Sequence, residues 1–116
     1  MKRQETLEAA IKCVCGERQD QYGRPEDNFK TIAKLWSAYL GYTVSDIDVA
    51  MMMSLLKIAR IRTGTATDDS FVDLAGYAAC GAEIAHRHKL LKGEAHEDQS
   101  DRVDFEKREA ADNISQ

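Results

Sequence analysis

The run IDVAMMMSLLKIARI, residues 47–61, restricts the possible folds of this chain more than any other segment. Its apolar residues recur at helical spacing and leave almost no polar side, which is typical of a helix covered from several directions. Apart from Asp48 near its start, its only charged residues are Lys57 and Arg60. No segment of the chain alternates like a strand with turn signals at both ends. The sequence therefore predicts an all-α bundle in which this helix is central.

A second run of the same kind, DDSFVDLAGYAACGAEI, covers residues 68–84. Gly76 and Gly81 each cost a helix interior about 1 kcal/mol relative to alanine. Together with the neighbouring alanines, however, they leave a smooth surface that another helix can approach closely. One small bundle is hard to wrap around two helices that are apolar on most sides. We therefore expect a homodimer or homotetramer with both helices at its centre.

Capping and turn residues predict where the helices begin and end. Pro25 suits the first turn of a helix, because its fixed φ is helical and its missing N–H is not needed there. Ser45 and Asp48 form a variant of the capping box at the start of the third helix, and Thr67 or Asp68 caps the fourth. Four helices of a four-helix bundle are expected, at about residues 4–15, 25–40, 45–63 and 68–91.

The first two helices are amphipathic, and their apolar spacing predicts which sides face the core. The first helix carries Leu7, Ile11 and Val14 at i, i+4 and i+7, which makes one apolar stripe. The second helix should bury five residues on one side, namely Phe29, Ile32, Ala33, Trp36 and Leu40.

Length and charge limit the class of protein. The chain has 116 residues, a net charge of −4 and a pI of about 5.3. We expect one bundle over residues 1–92, followed by a charged tail or short docking helix over residues 93–116. Nucleic-acid binding is not expected, because it needs a basic face. No apolar run reaches the roughly 18 residues that span a bilayer, and the N-terminus lacks a signal-peptide core, so we expect a cytoplasmic protein without membrane contact.

The cysteines and two of the histidines do not form a recognisable metal or redox motif. The chain has three cysteines, an odd number, at positions 13, 15 and 80. Their spacing matches neither a zinc knuckle nor a thioredoxin motif. We interpret them as reduced thiols that serve as small hydrophobic side chains. His86 and His88 are two residues apart on a predicted helix and so do not share a face.

The charged residues of the two central helices are the candidates for chemistry. Asp69 and Asp73 are four residues apart and so lie on one face of a helix, as do Lys57 and Arg60, which are three apart. Two such acids are suited to hold Mg²⁺, which takes few protein carboxylates and keeps water and substrate phosphates as its other ligands. Lys57 and Arg60 would then meet those phosphates.

Each acid also has a structural interpretation. Asp69 lies in the first turn of its helix, where the helix dipole favours any acid. Asp48 is equally explained by a capping role. Asp73 lies beyond the first turn, so its structural alternative is a buried ion pair with Lys57 or Arg60.

The segment GERQDQYGRP, residues 16–25, is predicted to be a loop and offers the other half of a site. Tyr22 is suited to stack on a base, and the nearby Asn28 to hydrogen-bond a base edge. Arg18 and Arg24 are suited to contact phosphate. The alternative is that Tyr22 and Asn28 only pin the loop to the bundle.

Three stretches, DQYGRPEDNFKTIAKLWSAYL, DVAMMMSLLKIARI and DSFVDLAGYAACGAEI, together resemble a family of small phage and prophage proteins known only as a domain of unknown function. The resemblance covers about residues 3–90. That family is similar to the MazG-like all-α nucleoside triphosphate pyrophosphatases and to the phage dATP/dGTP diphosphohydrolases. The resemblance implies an oligomeric bundle that uses Mg²⁺, held by acids, to hydrolyse a nucleoside triphosphate to monophosphate and pyrophosphate.

The acids of this chain match the MazG-like pattern in part. That pattern has E-x-x-E on one helix and E-x-x-D on the next. Asp73 matches the last acid, whereas Ser70 stands three residues before it, beside Asp69. On the preceding helix, the residue three after Asp48 is Met51. At most two or three carboxylates therefore remain where the pattern has four. Hydrolysis by a two-metal mechanism needs enough carboxylates to hold both metal ions.

The sequence thus predicts a Mg²⁺-dependent nucleotide pyrophosphohydrolase. Asp69 and Asp73 would be its catalytic metal ligands, with Asp48 as a further ligand from across a subunit boundary. Two alternatives stay open: a protein that binds or sequesters a nucleotide or cyclic nucleotide without turnover, and a structural oligomer in which Asp73 pairs with Lys57 or Arg60. Carboxylates gathered within about 5 Å, with no cation among them, would favour a metal site.

Overall fold

The computed structural model describes residues 1–16, 23–65 and 67–93. Over these ranges the chain forms no strand and four α-helices, which are α1 (Arg3–Cys15), α2 (Pro25–Leu40), α3 (Asp46–Thr63) and α4 (Asp68–Leu91). The expected all-α class and helix bounds are confirmed there. Arg18, Tyr22 and residues 94–116 of the predicted tail lie outside the described residues. None of the four helices combines the length and apolar character needed to cross a membrane.

The helix α4 is central, because it packs against α1, α2 and α3, while α2 also packs against α3. Val49 of α3 and Ile84 of α4 are the most deeply buried large side chains, with at most 1% of their surface exposed. The core cluster around them is Phe29, Ala33, Val44, Val49, Ala50, Cys80 and Ile84.

Two glycines allow α4 to approach its neighbours closely. A Cβ built on Gly76 would lie 3.1 Å from Cγ1 of Val14 in α1. A Cβ built on Gly81 would lie 3.3 Å from Cβ of Ala50 in α3. Both distances are shorter than ordinary contacts between carbon atoms, so the predicted role of the small residues in close helix packing is confirmed.

Local hydrogen bonds set the connection between α2 and α3. Gly41 ends α2 with a φ of 78°, a left-handed conformation that glycine adopts at little cost, and its N–H donates to the Ser37 carbonyl at 2.9 Å. The Ser37 hydroxyl accepts the N–H of Val44 at 2.8 Å and donates to the Ala33 carbonyl at 2.7 Å. The connection is therefore tied to the last turns of α2.

The predicted capping box at the start of α3 is confirmed. The Ser45 hydroxyl accepts the backbone N–H of Asp48, and Oδ2 of Asp48 accepts the backbone N–H of Ser45, both at 3.0 Å. Each side chain satisfies an N–H that the helix leaves without a partner.

The predicted apolar stripe of α1 is wrong for two of its three residues. Leu7 and Ile11 are each 59% exposed, and the buried residue of α1 is Ala10. The reason is the close approach of α1 to α4 beside Gly76. Ala10 and Val14, four residues apart on one face, fit this narrow contact, and that rotation of the helix leaves Leu7 and Ile11 at the surface.

The chain buries only one side of α3. Val49, Ala50 and Ser54 are buried, whereas the opposite side is largely exposed and meets the rest of the described chain only at its margin, where Cε of Met51 approaches Gly81. Leu40, predicted to be buried at the end of α2, is also 41% exposed. The large apolar residues of the uncovered side of α3 are 40–62% exposed and comprise Met51, Met52, Leu55, Leu56 and Ile58.

Candidate functional site

A cleft of about 170 Å³ opens where α1, the start of α2, and the middle of α3 and α4 meet. Its polar groups come from Asn28 at the start of α2 and from Asp73 and Tyr77 of α4, and two thiols also reach it. The rest of the lining is apolar or glycine and includes Val14, Phe29, Ile32, Met53, Val72 and Gly76.

Two aromatic rings form part of the cleft. The ring centroids of Phe29 and Tyr77 lie 6.1 Å apart, with an angle of 38° between the ring planes. Ligand pockets usually enclose about 300–1,000 Å³. This smaller cleft therefore suits one flat ring or a fragment of similar size, with the remainder of a larger ligand outside it.

The question of which cation accompanies Asp73 is answered at the edge of the cleft. Nζ of Lys57 lies 2.8 Å from Oδ2 of Asp73, and the two side chains are 12% and 31% exposed. Lys57 follows Met53, which lines the cleft, by one helical turn. Arg60 is exposed and makes no ion pair with another described residue. The ion-pair interpretation of Asp73 therefore applies, with Lys57 as its partner.

The three acids proposed as metal ligands are not gathered within the described chain. Asp48 is engaged in the capping box. Asp69 is exposed and makes no side-chain hydrogen bond or ion pair with another described residue. Across residues 1–16, 23–65 and 67–93, no group of three or more His, Cys, Asp or Glu side chains is arranged to hold a metal ion. Of the predicted site residues, the structure brings Asn28 and Asp73 to one cleft, with Lys57 beside them.

A second charged cluster lies next to the cleft, and the sequence did not indicate it. Oε2 of Glu26 lies 3.7 Å from Nη1 of Arg87 and 3.8 Å from Nε of Arg24. The Glu26 side chain is only 11% exposed. The sequence by itself indicates only that Glu26 is a favourable acid in the first turn of α2. Arg87, near the end of α4, is far from it in the chain, and no local pattern signals the contact.

Another long-range pair joins the start of α3 to the end of α4. Nε2 of His88 lies 3.0 Å from Oδ2 of Asp46. The position of His88 in the sequence indicates only that a basic side chain is favourable in the last turn of α4. The pair connects the start of α3 to the end of α4. It lies far from the Lys57–Asp73 pair, since His88 follows Asp73 by fifteen residues, or about 22 Å of helix.

The Cys80 thiol at the cleft is not an activated nucleophile. Cys13 and Cys80 both line the cleft. Burial raises the pKa of the Cys80 thiol to about 11, with smaller contributions in the same direction from Glu26 and Glu83. Cys80 is therefore protonated near neutral pH, as expected for a cysteine that serves as a small core residue.

Comparison with known proteins identifies relatives of this chain. The model of the family described as "Domain of unknown function (DUF6378)" matches residues 5–85, which include every residue that lines the cleft. The chain is 51% identical over 78 residues to the Gene 55 protein of Mycobacterium phage D29, covering 67% of this chain and 52% of that protein. It is 44% identical over 73 residues to the Gene 55 protein of Mycobacterium phage L5, covering 62% and 47% respectively. The chain thus spans about half the length of these curated relatives. No solved structure matches it significantly.

Proposed function

Because the chain belongs to the DUF6378 family, whose description names no activity, we propose its function from the cleft itself: the protein binds a nucleotide and does not turn it over. The base occupies the cleft and the phosphates lie outside it. The observation that carries this proposal is the combination of a ring-sized apolar cleft with the polar groups of Asn28 and Asp73 at its lining.

The polar groups at the cleft suit the edge of a base. The Asn28 amide offers both donors and an acceptor, whereas the Asp73 carboxylate offers acceptors. Oδ2 of Asp73 faces Lys57, and Oδ1 makes no hydrogen bond with another described residue. This free oxygen is available to an amino or imino N–H of a bound base. The proposal keeps Tyr22 as a stacking residue.

The phosphates of a bound nucleotide would meet the basic residues at the edge of the cleft. Arg24 stands between Gly23 and Pro25, both of which line the cleft, and its side chain is 49% exposed. Lys57 keeps its predicted role near the ligand, although its ammonium also pairs with Asp73. Arg60, the other predicted phosphate contact, is exposed one turn beyond Lys57.

A second candidate is the Mg²⁺-dependent pyrophosphohydrolase, in which Asp69 and Asp73 hold the metal. One observation favours it: the two acids lie one turn apart on α4, and Asp69 has no partner among the described residues. Two metal ions need more carboxylates than this. The hydrolase therefore requires acids such as Asp48 from another copy of a homodimer or homotetramer, and binding without turnover needs no such addition.

Isothermal titration calorimetry tests both functions, with a panel of ribo- and deoxynucleoside triphosphates, monophosphates and cyclic nucleotides, in Mg²⁺ and in EDTA. Product formation is followed by chromatography on the same samples. We expect at least one nucleotide to bind in both buffers without conversion. Asn28→Trp should abolish that binding by filling the cleft. Leu35→Trp is the matched control, since Leu35 lies on α2 at 65% exposure and does not line the cleft.

The outcomes separate the candidates. Pyrophosphate release that is abolished both by EDTA and by Asp69→Ala would show that the protein is the hydrolase and not the binding protein. No binding by any member of the panel would contradict both. Binding that Asn28→Trp leaves unchanged would place the ligand outside this cleft.

A further inference from the structure

The uncovered side of α3 is a continuous apolar surface. Leu55, at its middle, is 62% exposed, and Met51 and Ile58 on either side of it are 46% and 48% exposed. Scattered exposed apolar residues are normal in proteins, whereas a contiguous apolar patch marks an interaction site. Met52 and Leu56 widen the same surface.

The spacing along this surface is that of a helix–helix seam. Asp48, Met51, Leu55, Ile58 and Arg62 follow one another at intervals of three, four, three and four residues, and all five are exposed. Alternation of three and four is the repeat that places side chains on the contact line of two packed helices. The seam is apolar in the middle and has an acid at one end and an arginine at the other.

We propose that this seam binds the same seam of a second copy, with the two α3 helices antiparallel about a two-fold axis beside Leu55. A two-fold contact pairs residues that lie equally far from the axis in opposite directions. Asp48 and Arg62 are each seven residues from Leu55. The acid of each copy therefore meets the arginine of the other, and the contact is complementary at both ends.

The charges favour a second copy in this orientation. A parallel pair of α3 helices would place Asp48 beside Asp48 and Arg62 beside Arg62, and like charges at these positions are unfavourable. Arg62 makes no ion pair with another described residue, and Asp48 uses only Oδ2 in its capping box. Both groups are therefore available to a partner. A foreign partner would not require acid and arginine to be symmetric about Leu55.

This interface leaves the cleft open. Met53, which lines the cleft, is two residues from Leu55. Side chains two residues apart differ in direction by about 200° around the helix axis. The seam and the cleft thus lie on opposite sides of α3. The interface does not depend on nucleotide binding in the cleft, so the proposal of binding without turnover and the proposal of this interface can each fail without the other.

Sedimentation equilibrium of the full chain at micromolar concentration tests the surface. We expect the wild-type mass to be at least that of a dimer, and Leu55→Asp to halve it while the circular dichroism signal of the helices stays unchanged. Leu35→Asp is the matched control, because Leu35 is equally exposed, at 65%, on α2. It should leave the assembly intact. A monomeric wild-type chain, or an assembly that Leu55→Asp leaves intact, would overturn the proposal.

Charge reversal tests the register. Arg62→Glu and Asp48→Lys should each raise the dimer dissociation constant by about tenfold or more, because each places like charges opposite one another. The double variant should recover most of the affinity that Asp48→Lys loses. Loss of the capping box is common to Asp48→Lys and the double variant, so only the charge pair explains the recovery. A double variant no tighter than Asp48→Lys would contradict the antiparallel register.

Discussion

Lys57 and Asp73 join the two central helices, with Nζ of Lys57 2.8 Å from Oδ2 of Asp73. The Lys57 side chain is only 12% exposed, so its ammonium has little access to water. The Asp73 carboxylate offsets the free-energy cost of burying this charge. Asp73 at the same time lines the cleft. One residue therefore combines a structural contact with a position from which it can meet a ligand.

Asp73→Asn should lower the free energy of unfolding by about 1–3 kcal/mol, because it leaves a mostly buried ammonium without its charged partner. The cost is less than for a fully buried pair, since the Asp73 side chain is 31% exposed. Urea denaturation followed by circular dichroism measures it. Adding Lys57→Met to Asp73→Asn should recover part of the loss, because the unpaired charge is then removed.

The matched control for this pair is Asp69→Asn, one turn earlier on α4. Asp69 is exposed and without a partner among the described residues, so the change should stay within about 0.5 kcal/mol. Equal effects of Asp69→Asn and Asp73→Asn would show that the ion pair contributes no stability of its own.

Gly81→Val should destabilise the protein by about 1–3 kcal/mol through overpacking. A Cβ at Gly81 already lies 3.3 Å from Cβ of Ala50 and 3.4 Å from Cε of Met51, so valine would push α3 and α4 apart. Ala82→Val, at the next and exposed position of α4, should cost only the helix-propensity difference of roughly 0.6 kcal/mol. Thermal unfolding compares the two variants. A smaller loss for Gly81→Val than for Ala82→Val would contradict the close contact.

Ser37→Ala should lower the free energy of unfolding by about 1–2 kcal/mol, because the N–H of Val44 loses its acceptor in a partly buried place. Amide hydrogen exchange should show faster exchange at Val44. Thr31→Ala is the control on the same helix. The Thr31 hydroxyl only donates to the carbonyl of Asp27 on the exposed side, so its removal should leave exchange at Val44 as in the wild type.

Stability should fall between pH 9 and 11 because of Cys80. Burial raises the pKa of this thiol from its ordinary value of 9.0 to about 11. In this window the unfolded chain releases the proton that the folded chain retains, so rising pH favours unfolding by up to about 1.4 kcal/mol per pH unit. Below pH 9 both states are protonated and the contribution is fully present.

Cys80→Ala isolates this effect from the other groups that titrate in the same range. Urea denaturation at intervals from pH 8 to 11 should show a smaller loss for Cys80→Ala than for the wild type, with the difference growing across the window. Parallel curves for the two proteins would mean that the Cys80 thiolate is as well accommodated in the folded chain as in the unfolded one.

The boundaries of α2 and the start of α3 were determined by the sequence itself, because they depend on contacts within a few residues. Pro25 begins α2 at its fixed φ, and Gly41 ends it in the left-handed conformation. Ser45 and Asp48 satisfy each other's backbone N–H groups. None of these interactions requires another helix, so their pattern in the sequence predicts α2 and the start of α3 to within one residue.

The partners between helices were decided only by the tertiary structure. Lys57 and Arg60 lie three residues apart on one face of α3, so the sequence leaves either as the partner of Asp73. The rotation of α3 against α4 places Lys57 there. Ala10 faces the core in place of Leu7 because Gly76 brings α1 close to α4. Glu26 meets Arg87 for the same kind of reason. Each of these contacts depends on the distance and the rotation at which two helices pack. Both quantities are determined by the volumes of side chains that lie far apart in the sequence.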